Sequence, residues 1–567
     1  MYEKTDQEPS RADADYQSRS WKREESTAEL AAFELESGWA TSQRTFAREH
    51  EVPRTTLQHW MERKAKLDAS PAEVGFFESP AGLECLHRLL GALHFVFGFL
   101  GPSGLRLIMQ VVDLSGLGPF VANSFGSHQK LAVGMEQEIC AFGVEQREML
   151  AAQMQPKDIT ACQDETFHPA PCLVAIEPVS NFILLETYAE GRDAATWNEQ
   201  FKAALSGLHV RVVQSTSDEG KGLLAHVRTG LGAHHSPDLF HGQQELSRAT
   251  SVGLAGQVRQ AEQKVEDAAA TVARVTEQAH AWAEHAHGPG RPPNFEQRAV
   301  EAAATLHAAQ QELAAARARQ ERAQQAIRGI GQAYHPVDLQ TGAPRSPAQV
   351  TATLEQHFAT ITTVAEDAAL PERCQQGIRK ARRLLPLFTS TLAFFHAEVR
   401  TRIGNLGLRP EVTEVVEQHL VPAAYLERAA AKARPADARP PLRDLAHRLR
   451  ELPLVTATLA ALEAEQRTRV ERVAAECADL FQRSSSCVEG RNGQLSLQHH
   501  GLHRISASRL QALTVVHNFF LRRPDGTTAA ERFFGAKPEN LFHQLLRRLP
   551  MPARPAASRA RASSLVN

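Results

Sequence analysis

The sequence predicts a multidomain α+β protein in which a mixed β-sheet is interrupted by a long helical segment. Short apolar, β-rich runs alternate with turn residues between about residues 156 and 245. Helical periodicity then continues from 246 to 483, and its first part carries two heptad stripes. A length of 567 residues leaves room for several domains.

Composition narrows the class of protein. Hydrophobic residues make up 43% and charged residues 23%, with a formal net charge of −2, so any nucleic-acid surface must be local. Seven scattered cysteines without a CxxC pair argue against a disulfide framework or a zinc site. The N-terminus lacks a signal-peptide core, and "LLGALHFVFGFLG" is shorter than the roughly 20 residues that span a bilayer. We therefore expect a soluble, cytoplasmic protein without a membrane segment.

The N-terminal region predicts a DNA-binding helix-turn-helix over residues 19–70, preceded by disorder over 1–18. Glu51-Val52-Pro53 would form the turn, with Pro53 at the first position of the second helix. That helix carries side chains suited to phosphates and base edges: Arg54, Thr55, Thr56, Gln58, His59 and Arg63. A generic helical hairpin is the alternative. Residues 80–155 predict a helical domain, either a spacer or a second DNA-binding unit.

The strand-rich block predicts the order β-β-β-α-β-α-β. The strands are expected in "DITACQDETFH", "CLVAIEPV", "FILLETYAEG", "HVRVVQ" and "SPDLFHG". Asp193 is a candidate N-cap for the first helix of the block, and Trp197 is expected in the core.

After the strands, two heptad stripes predict an antiparallel coiled-coil hairpin over about 254–332. "HGPGRPPN" separates them, and no helix crosses such a stretch. Trp282 is expected in the seam. Further helices run to 483, residues 484–550 return to the core, and the basic tail 551–567 is predicted to be disordered.

Two acids in the strand block are candidates for chemistry. Asp164 ends the first apolar run, and Asp218 follows the strand "VRVVQ" in a Gly-rich turn. In this strand order the two can meet at one end of the sheet, where Mg²⁺ would relieve their repulsion. Asp158 and Glu165 are weaker alternatives for the first acid, and Glu219 competes with Asp218.

These acids, in "QDETFH" and "TSDEGKGLL", together with Glu489 in "SSCVEGRNGQLS", resemble those of the DDE transposases of bacterial insertion sequences. That family belongs to the RNase H-like superfamily, which also holds retroviral integrases. The ending "LTVVHNFFLRRPDGTTAAERFFG" is similar to transposase C-terminal ends. The resemblance implies an RNase H-like core, 156–245, split by the helical insertion 246–483 and completed by a glutamate-bearing helix in 484–550.

The resemblance further implies that Asp164, Asp218 and Glu489 hold two Mg²⁺ or Mn²⁺ ions. The activity it implies is hydrolysis of a phosphodiester at the ends of the element, followed by attack of the freed 3′-OH on target DNA. Double-stranded DNA is the expected partner, and a homodimer or higher oligomer is expected.

Other polar residues near the acids are assigned supporting roles. Arg491 and Asn492 are expected to position DNA, and His168 or His241, at the ends of core strands, could assist. His499, His500 and His503 have no thiol or acid at ligand spacing and are expected to contact DNA or cap helices. A nuclease without strand transfer and a non-catalytic DNA-bridging protein remain the alternatives.

Overall fold

The fold was analysed in a computed structural model of the chain. It describes residues 20–38, 41–167, 170–285, 293–433, 436–502 and 504–555. Residues 1–18, His168, His503 and the tail beyond 555 therefore lie outside the described residues, as does most of "HGPGRPPN".

The N-terminal part of the chain is helical. Its helices are α1 (Arg23–Ser37), α2 (Gln43–Glu49), α3 (Arg54–Ala65), α4 (Pro71–Phe77), α5 (Pro80–Phe95, continued by a π-helical turn Val96–Leu100), α6 (Leu105–Leu114) and α7 (Phe125–Ala151).

A five-stranded mixed sheet follows, in the predicted β-β-β-α-β-α-β order. Its elements are β1 (Lys157–Phe167), β2 (Pro171–Glu177), β3 (Phe182–Tyr188), α8 (Ala194–Leu205), β4 (Val210–Ser217), α9 (Lys221–Ala225, continued by a π-helical turn His226–Leu231) and β5 (His234–Pro237). The spatial order is β3-β2-β1-β4-β5. Strands β1 to β3 pair antiparallel, whereas β4 pairs parallel to both β1 and β5. Asp193 caps α8, and Trp197 is fully buried, as predicted.

A long helical segment separates β5 from the C-terminal region. Its helices are α10 (Leu239–Glu284), α11 (Phe295–Ala333), α12 (Pro347–Asp367), α13 (Glu372–Arg382), α14 (Leu385–Gly404), α15 (Pro410–Val415, continued by a π-helical turn Val416–Leu420), α16 (Val421–Lys432), α17 (Arg439–Arg450), α18 (Pro453–Ala460) and α19 (Ala464–Asp479). A short 3₁₀ turn, Ala436–Ala438, precedes α17.

The last described elements are α20 (Ser486–Leu502), α21 (Ala507–Phe519), α22 (Ala529–Phe534) and α23 (Leu541–Arg548). The chain divides into two compact units: unit 1 comprises Met1–Arg147, Ser496–Leu521 and Pro538–Asn567, and unit 2 comprises Glu148–Leu495 and Arg522–Lys537. The sequence analysis assigned all of 484–550 to the core, whereas this division places 496–521 and 538–550 with the N-terminal unit.

Helices α1 to α3 share a small apolar core in unit 1. Its buried members are Leu30, Phe33, Phe46, Val52, Leu57 and Trp60. Residues 50–53 join α2 to α3, where the turn is predicted, although Pro53 occupies the N-cap rather than the first helical position. Glu51 has a φ of 54°, a left-handed conformation that L-residues seldom adopt.

Helix α5 contains the most apolar stretch of the chain. With its π-helical turn it spans Pro80–Leu100 and is long and apolar enough to cross a bilayer by length and composition. Core helices of soluble proteins have the same properties, and here Leu86 and Leu90 are buried in a cluster with Val112 of α6 and with Leu117, Phe120 and Val121, which follow it. Of the most apolar window of this helix, 44% is buried inside the structure.

Helices α10 and α11 form the predicted antiparallel hairpin. The residues buried between the two helices are mostly small, and they include Ala261, Ala268 and Ala316. Lys264 on α10 bridges to Glu312 on α11 at 2.6 Å. Trp282 lies 6.2 Å from Phe295 between ring centroids and keeps 36% of its surface exposed, so it closes the far end of the seam only partly.

Candidate metal centre

The candidate site lies at one edge of the sheet in unit 2, where the parallel pairing of β1 with β4 ends and is followed on each strand by an acid. Asp164 is on β1, the central strand, opposite Val174 of β2. Ser217, the last residue of β4, pairs with Gln163 of β1, so Asp218 follows beside Asp164. Parallel strands end at the same edge of a sheet, which is why two acids 54 positions apart in the chain become neighbours.

Glu489 completes the cluster from the first turn of α20. A carboxylate oxygen of Asp164, a carboxylate oxygen of Glu489 and a ring nitrogen of His241 lie within 4.8 Å of one another. Glu489 remains 40% exposed and His241 34% exposed, so the cluster is open to solvent. The structure therefore brings Asp164 and Glu489 together although 325 residues separate them in the sequence.

Asp238 explains how the returning chain reaches this place. It is buried at the end of β5, where one of its oxygens accepts from the amide of Phe240 at 2.7 Å and caps α10. Its other oxygen accepts from the amide of Ser485 at 3.1 Å and from the Ser485 hydroxyl. Leu239 also donates to the carbonyl of Arg483 at 2.9 Å. The long helical segment thus begins after Asp238 and ends at Ser485, and these two residues are hydrogen-bonded to each other. Helix α20 begins at the next residue, Ser486.

The sequence analysis missed Asp238. Its signal was present, because Asp238 follows a strand directly, as Asp218 does, and precedes His241 by three positions. That same aspartate corrects a second prediction. "SPDLFHG" was expected to be a strand, but β5 covers only His234–Pro237. Since Asp238 caps a helix there, His241 lies in the first turn of α10 and not at a strand end.

Electrostatics distinguish Asp164 from ordinary surface acids. Its pKa is raised to about 7, chiefly by burial and additionally by the nearby charges of Asp218 and Glu489, while the Glu165 amide and His241 oppose the rise. The site therefore concentrates negative charge, and a bound cation would replace the proton that Asp164 otherwise retains near neutral pH.

Two polar atoms in the cluster lack partners. The buried Nε2 of His241 makes no hydrogen bond within the described part of the chain, since Glu489 and Asp238 lie 3.7 and 3.9 Å away. Asn492 donates to Asp164 at 3.4 Å, while its buried Oδ1 is likewise unpaired there. Buried polar atoms without partners are costly, so both point to a ligand.

Asn492 and Arg491, which are both predicted to position DNA, have different surroundings. Asn492 lies at the acid cluster. Arg491 is 6% exposed and forms a bidentate ion pair with Glu186 of β3, at 2.7 and 2.6 Å. Its guanidinium fastens α20 to the sheet, and its contact with DNA stays a prediction.

The alternative acids have other partners. Asp158 is paired with Arg211 at 2.8 Å and Arg402 at 2.9 Å. Glu165 points away from Asp164, where it accepts from the indole of Trp197 at 3.1 Å and from Arg192 at 3.2 Å. The remaining candidate, Glu219, is exposed in the turn after β4. Of the acids at this edge, Asp164 and Glu489 share the donor cluster with His241, and Asp218 lies beside it.

The predicted DNA-contacting residues of α3 have different surroundings. Arg54, Thr55, Gln58 and His59 are exposed, and Thr56 is half-buried. Arg63, near the end of the helix, donates to the carbonyl of Pro555 at 2.6 Å. The four exposed side chains therefore form a solvated face of α3, whereas Arg63 is hydrogen-bonded to the C-terminal segment.

The donor set fits a divalent cation. Asp164 and Glu489 supply the carboxylate oxygens that Mg²⁺ and Mn²⁺ prefer, and the unpaired Nε2 of His241 supplies a nitrogen that suits Mn²⁺ better than Mg²⁺. Asp218 lies outside this group of donors, and one of its oxygens accepts from the amide of Gly220 at 3.0 Å. His499 and His500 are on α20 but are not members of this donor cluster.

Comparison with known protein families identifies a match to part of the chain. The model of a family of unknown function, DUF6399, matches residues 416–561, a stretch that includes Glu489 and Arg491. No curated protein matches the chain. No solved structure matches it. The matched stretch therefore runs from the π-helical turn Val416–Leu420 through helices α16 to α23. The family has no assigned activity.

Proposed function

We propose that this protein is a metal-dependent DNA transposase of the DDE type with an RNase H-like core. The observation that carries the proposal is the placement of three acids on one sheet edge. Asp164 is on the central strand, Asp218 follows the adjacent parallel strand, and Glu489 enters on the helix that returns after the long insertion. The strand order β3-β2-β1-β4-β5, antiparallel then parallel, supports the RNase H-like assignment.

Asp164, Asp218, Glu489 and His241 would hold two divalent ions. Such ions, when bound, polarise a phosphodiester and offset the charge that builds up during in-line displacement. The chain's own groups set the conditions for binding. Asp164 must lose the proton that burial favours, Asn492 holds the Asp164 carboxylate by one oxygen, and Asp238 fixes where α20 begins.

The remaining parts of the molecule are assigned by analogy with the transposase resemblance. The exposed face of α3 would bind the terminal repeats of the element, and the insertion with its α10–α11 hairpin would contact DNA ends or a second copy during synapsis. A homodimer or higher oligomer, active in the bacterial cytoplasm at the nucleoid, is part of this proposal.

A strand-cleavage assay tests the assignment. Duplexes carrying candidate element ends are incubated with Mg²⁺ or Mn²⁺ and with wild-type protein, Asp164→Asn, Glu489→Gln or the matched control Asp158→Asn. The two site variants are expected to lose more activity than the roughly 100-fold cost of removing an outer partner of a metal ligand. Asp158→Asn keeps its activity. Cleavage by Asp164→Asn at the wild-type rate would refute the metal assignment.

The products separate the alternatives. A transposase joins the freed 3′-OH to a second duplex, whereas a nuclease of the same core leaves only cleaved ends. A non-catalytic DNA-bridging protein has no need for clustered acids, and the 4.8 Å grouping of Asp164, His241 and Glu489 argues against it.

A further inference from the structure

Helix α13 and the residue that caps it, Arg383, carry an exposed cluster of positive charge in unit 2. Residues 372–383 hold five cations and a single acid, Glu372, and all five cations are exposed. The cations are Arg373, Arg379, Lys380, Arg382 and Arg383. Because the whole chain has a formal net charge of −2, this charge is a local property of one helix.

Two of these cations already have partners. Arg379 pairs with Glu372, and Lys380 pairs with Glu245 of α10 at 3.2 Å. The other three arginines form no ion pair within the part of the chain that the structure describes. These unpaired arginines are Arg373, Arg382 and Arg383. Exposed guanidiniums without a carboxylate partner have the chemistry that binds phosphate.

The packing of α13 on α10 brings its C-terminal end toward the candidate metal centre. Leu384 follows the last unpaired arginine and packs against Gly242, the residue after His241, where an added Cβ would lie 3.0 Å from a Leu384 methyl. Farther along, a Cβ on Gly377 would lie 3.0 Å from the Cβ of Ala249. The two helices therefore run antiparallel, and the last two unpaired arginines are at the end of α13 that lies beside the first turn of α10.

Positive charge also borders the metal centre at the turn after β4. The pKa of Glu219 is raised, chiefly by partial burial and additionally by Asp218, while the charges of Arg228 and Lys380 oppose the rise. Arg228 is exposed in the π-helical turn that continues α9, and it forms no ion pair among the described residues. Cations of the helical insertion and of the sheet region thus approach the same turn, next to Asp218.

We infer that the unpaired arginines of α13, together with Arg228, form a DNA-backbone surface that holds the duplex flanking the phosphodiester at the metal centre. Arg382 and Arg383 would bind the phosphates next to that bond. Arg373 would bind a phosphate farther away, because it lies nine residues before Arg382, about 14 Å along the helix axis. The inference rests on the proposed function, since it concerns the DNA that the same site would cleave.

The surroundings favour DNA over an acidic protein as the occupant. The three acids of the metal centre would repel the carboxylates of an acidic protein that lay across both surfaces. A phosphodiester is different, because divalent ions bound by the same acids bridge to its oxygens. Unpaired arginines beside clustered carboxylates therefore suit a polyanion whose phosphates meet the arginines and the metal ions in turn.

Salt dependence of binding tests this surface directly. Anisotropy of a labelled duplex of about 30 base pairs is measured from about 50 to 200 mM salt, because each lost phosphate contact flattens the logarithmic salt slope by about 0.9. Arg382→Gln/Arg383→Gln is expected to flatten the slope by nearly two such steps, and Arg373→Gln by about one. Arg382→Lys/Arg383→Lys keeps both charges and is expected to keep a slope close to that of the wild type.

Arg467→Gln/Arg469→Gln is the matched control. Both arginines are exposed, form no ion pair among the described residues and lie near the start of α19, the end of that helix farther along the chain from Ser485. This variant removes the same charge from unit 2 as Arg382→Gln/Arg383→Gln does, and its slope is expected to equal that of the wild type. A slope flattened equally in the control would overturn the assignment to α13.

Metal binding and thermal stability separate a DNA contact from damage to the site. Without DNA, Arg382→Gln/Arg383→Gln is expected to bind Mn²⁺ at least as tightly as the wild type, because the lost charges repel cations, and to melt at the same temperature. Weaker Mn²⁺ binding would assign the effect to a disturbed metal centre and overturn the surface.

The outcomes also separate this inference from the proposed function. Wild-type binding with an unchanged slope in Arg382→Gln/Arg383→Gln overturns the α13 surface and leaves the proposed function intact. A flattened slope in that variant, with no cleavage by the wild-type chain in Mn²⁺, supports the surface and contradicts the proposed function. Absence of duplex binding by the wild-type chain overturns both.

Discussion

Two acids on strand β1 have pKa values that are shifted in opposite directions. Asp158, near the start of the strand, pairs with Arg211 and Arg402, and the hydrogen bond from Arg211 is the largest cause lowering its pKa. Asp164, six positions later, is raised in pKa to about 7, chiefly by burial and additionally by the charges of Asp218 and Glu489. The same strand thus carries Asp158, whose negative charge is neutralised by arginine partners, and Asp164, which lies among other acids and forms no ion pair with a lysine or arginine among the described residues.

This difference separates acids that stabilise the fold from acids that await a ligand. A carboxylate with an arginine partner favours the folded state, whereas a buried carboxylate beside other acids opposes it until a proton or a cation arrives. Glu186 belongs to the first class, since Arg491 pairs with it, although Arg491 is only two residues from Glu489 on α20. Helix α20 therefore carries Arg491, which fastens it to the sheet, two residues after Glu489, the candidate metal ligand.

The largest expected effect follows from removing that anchor. Arg491→Met leaves the buried carboxylate of Glu186 without its partner and is expected to cost about 3–5 kcal/mol of unfolding free energy. Urea unfolding measures the change. The double variant Glu186→Leu with Arg491→Leu should recover much of the loss because no buried charge remains unpaired. If Arg491→Met is as stable as the wild type, the pair does not anchor α20.

The next largest effect is on the pH dependence of the unfolding free energy, which Asp164→Asn and Asp158→Asn are expected to change in opposite directions. The raised pKa of Asp164 means that the folded chain binds more protons between pH 3.8 and about 7, so wild-type stability falls as pH rises through that window. Asp164→Asn in a chelator should be more stable than the wild type by about 2 kcal/mol near pH 8, less than the full shift would give because water reaches the site. The gain should vanish below about pH 4.

Asp158→Asn should behave in the opposite way. The lowered pKa of Asp158 contributes stability that is present above 3.8 and is lost as pH falls through the lower folded value. The variant is therefore expected to be less stable by about 1 kcal/mol near neutral pH and equal to the wild type in strong acid. Urea unfolding at several pH values measures both variants, and effects of the same sign in the two would contradict the contrast.

A smaller effect is expected from His241. His241→Gln removes a ring nitrogen and should weaken Mn²⁺ binding by about 10-fold, with a lesser loss for Mg²⁺, which prefers oxygen ligands. Calorimetric titration with each ion gives the two affinities. Equal losses for both ions would show that His241 acts through the position of Glu489 and not as a ligand.

The sequence predicts the strand order and the neighbouring acids Asp164 and Asp218 because both leave local patterns. β-rich runs and turn residues mark each strand, and Asp164 and Asp218 each come shortly after an apolar run. Partners distant in the chain leave no such pattern. The Asp238–Ser485 bond joins residues 247 positions apart, and the Arg491–Glu186 pair joins residues 305 apart. The pairing of Arg491 with Glu186 was therefore not predicted, and Asp238 was overlooked.

His241 shows a second limit of sequence reasoning. The run "SPDLFHG" is short and apolar, and short apolar runs fit a strand or a helix equally well. Asp238 decides the outcome by capping α10 immediately after Pro237, so the histidine is carried on a helix toward Glu489. A residue thought to stand beside the acids becomes a candidate ligand.

Titration with Mn²⁺ tests the central claim most directly, which is that the uncompensated acids of this sheet edge bind a divalent ion. Calorimetry of the full chain near pH 8 is expected to show saturable binding in the wild type and in Asp158→Asn, and loss of that binding in Asp164→Asn. Because Asp164→Asn should fold at least as stably as the wild type, its loss would report on the site itself. Wild-type affinity in Asp164→Asn would contradict the account.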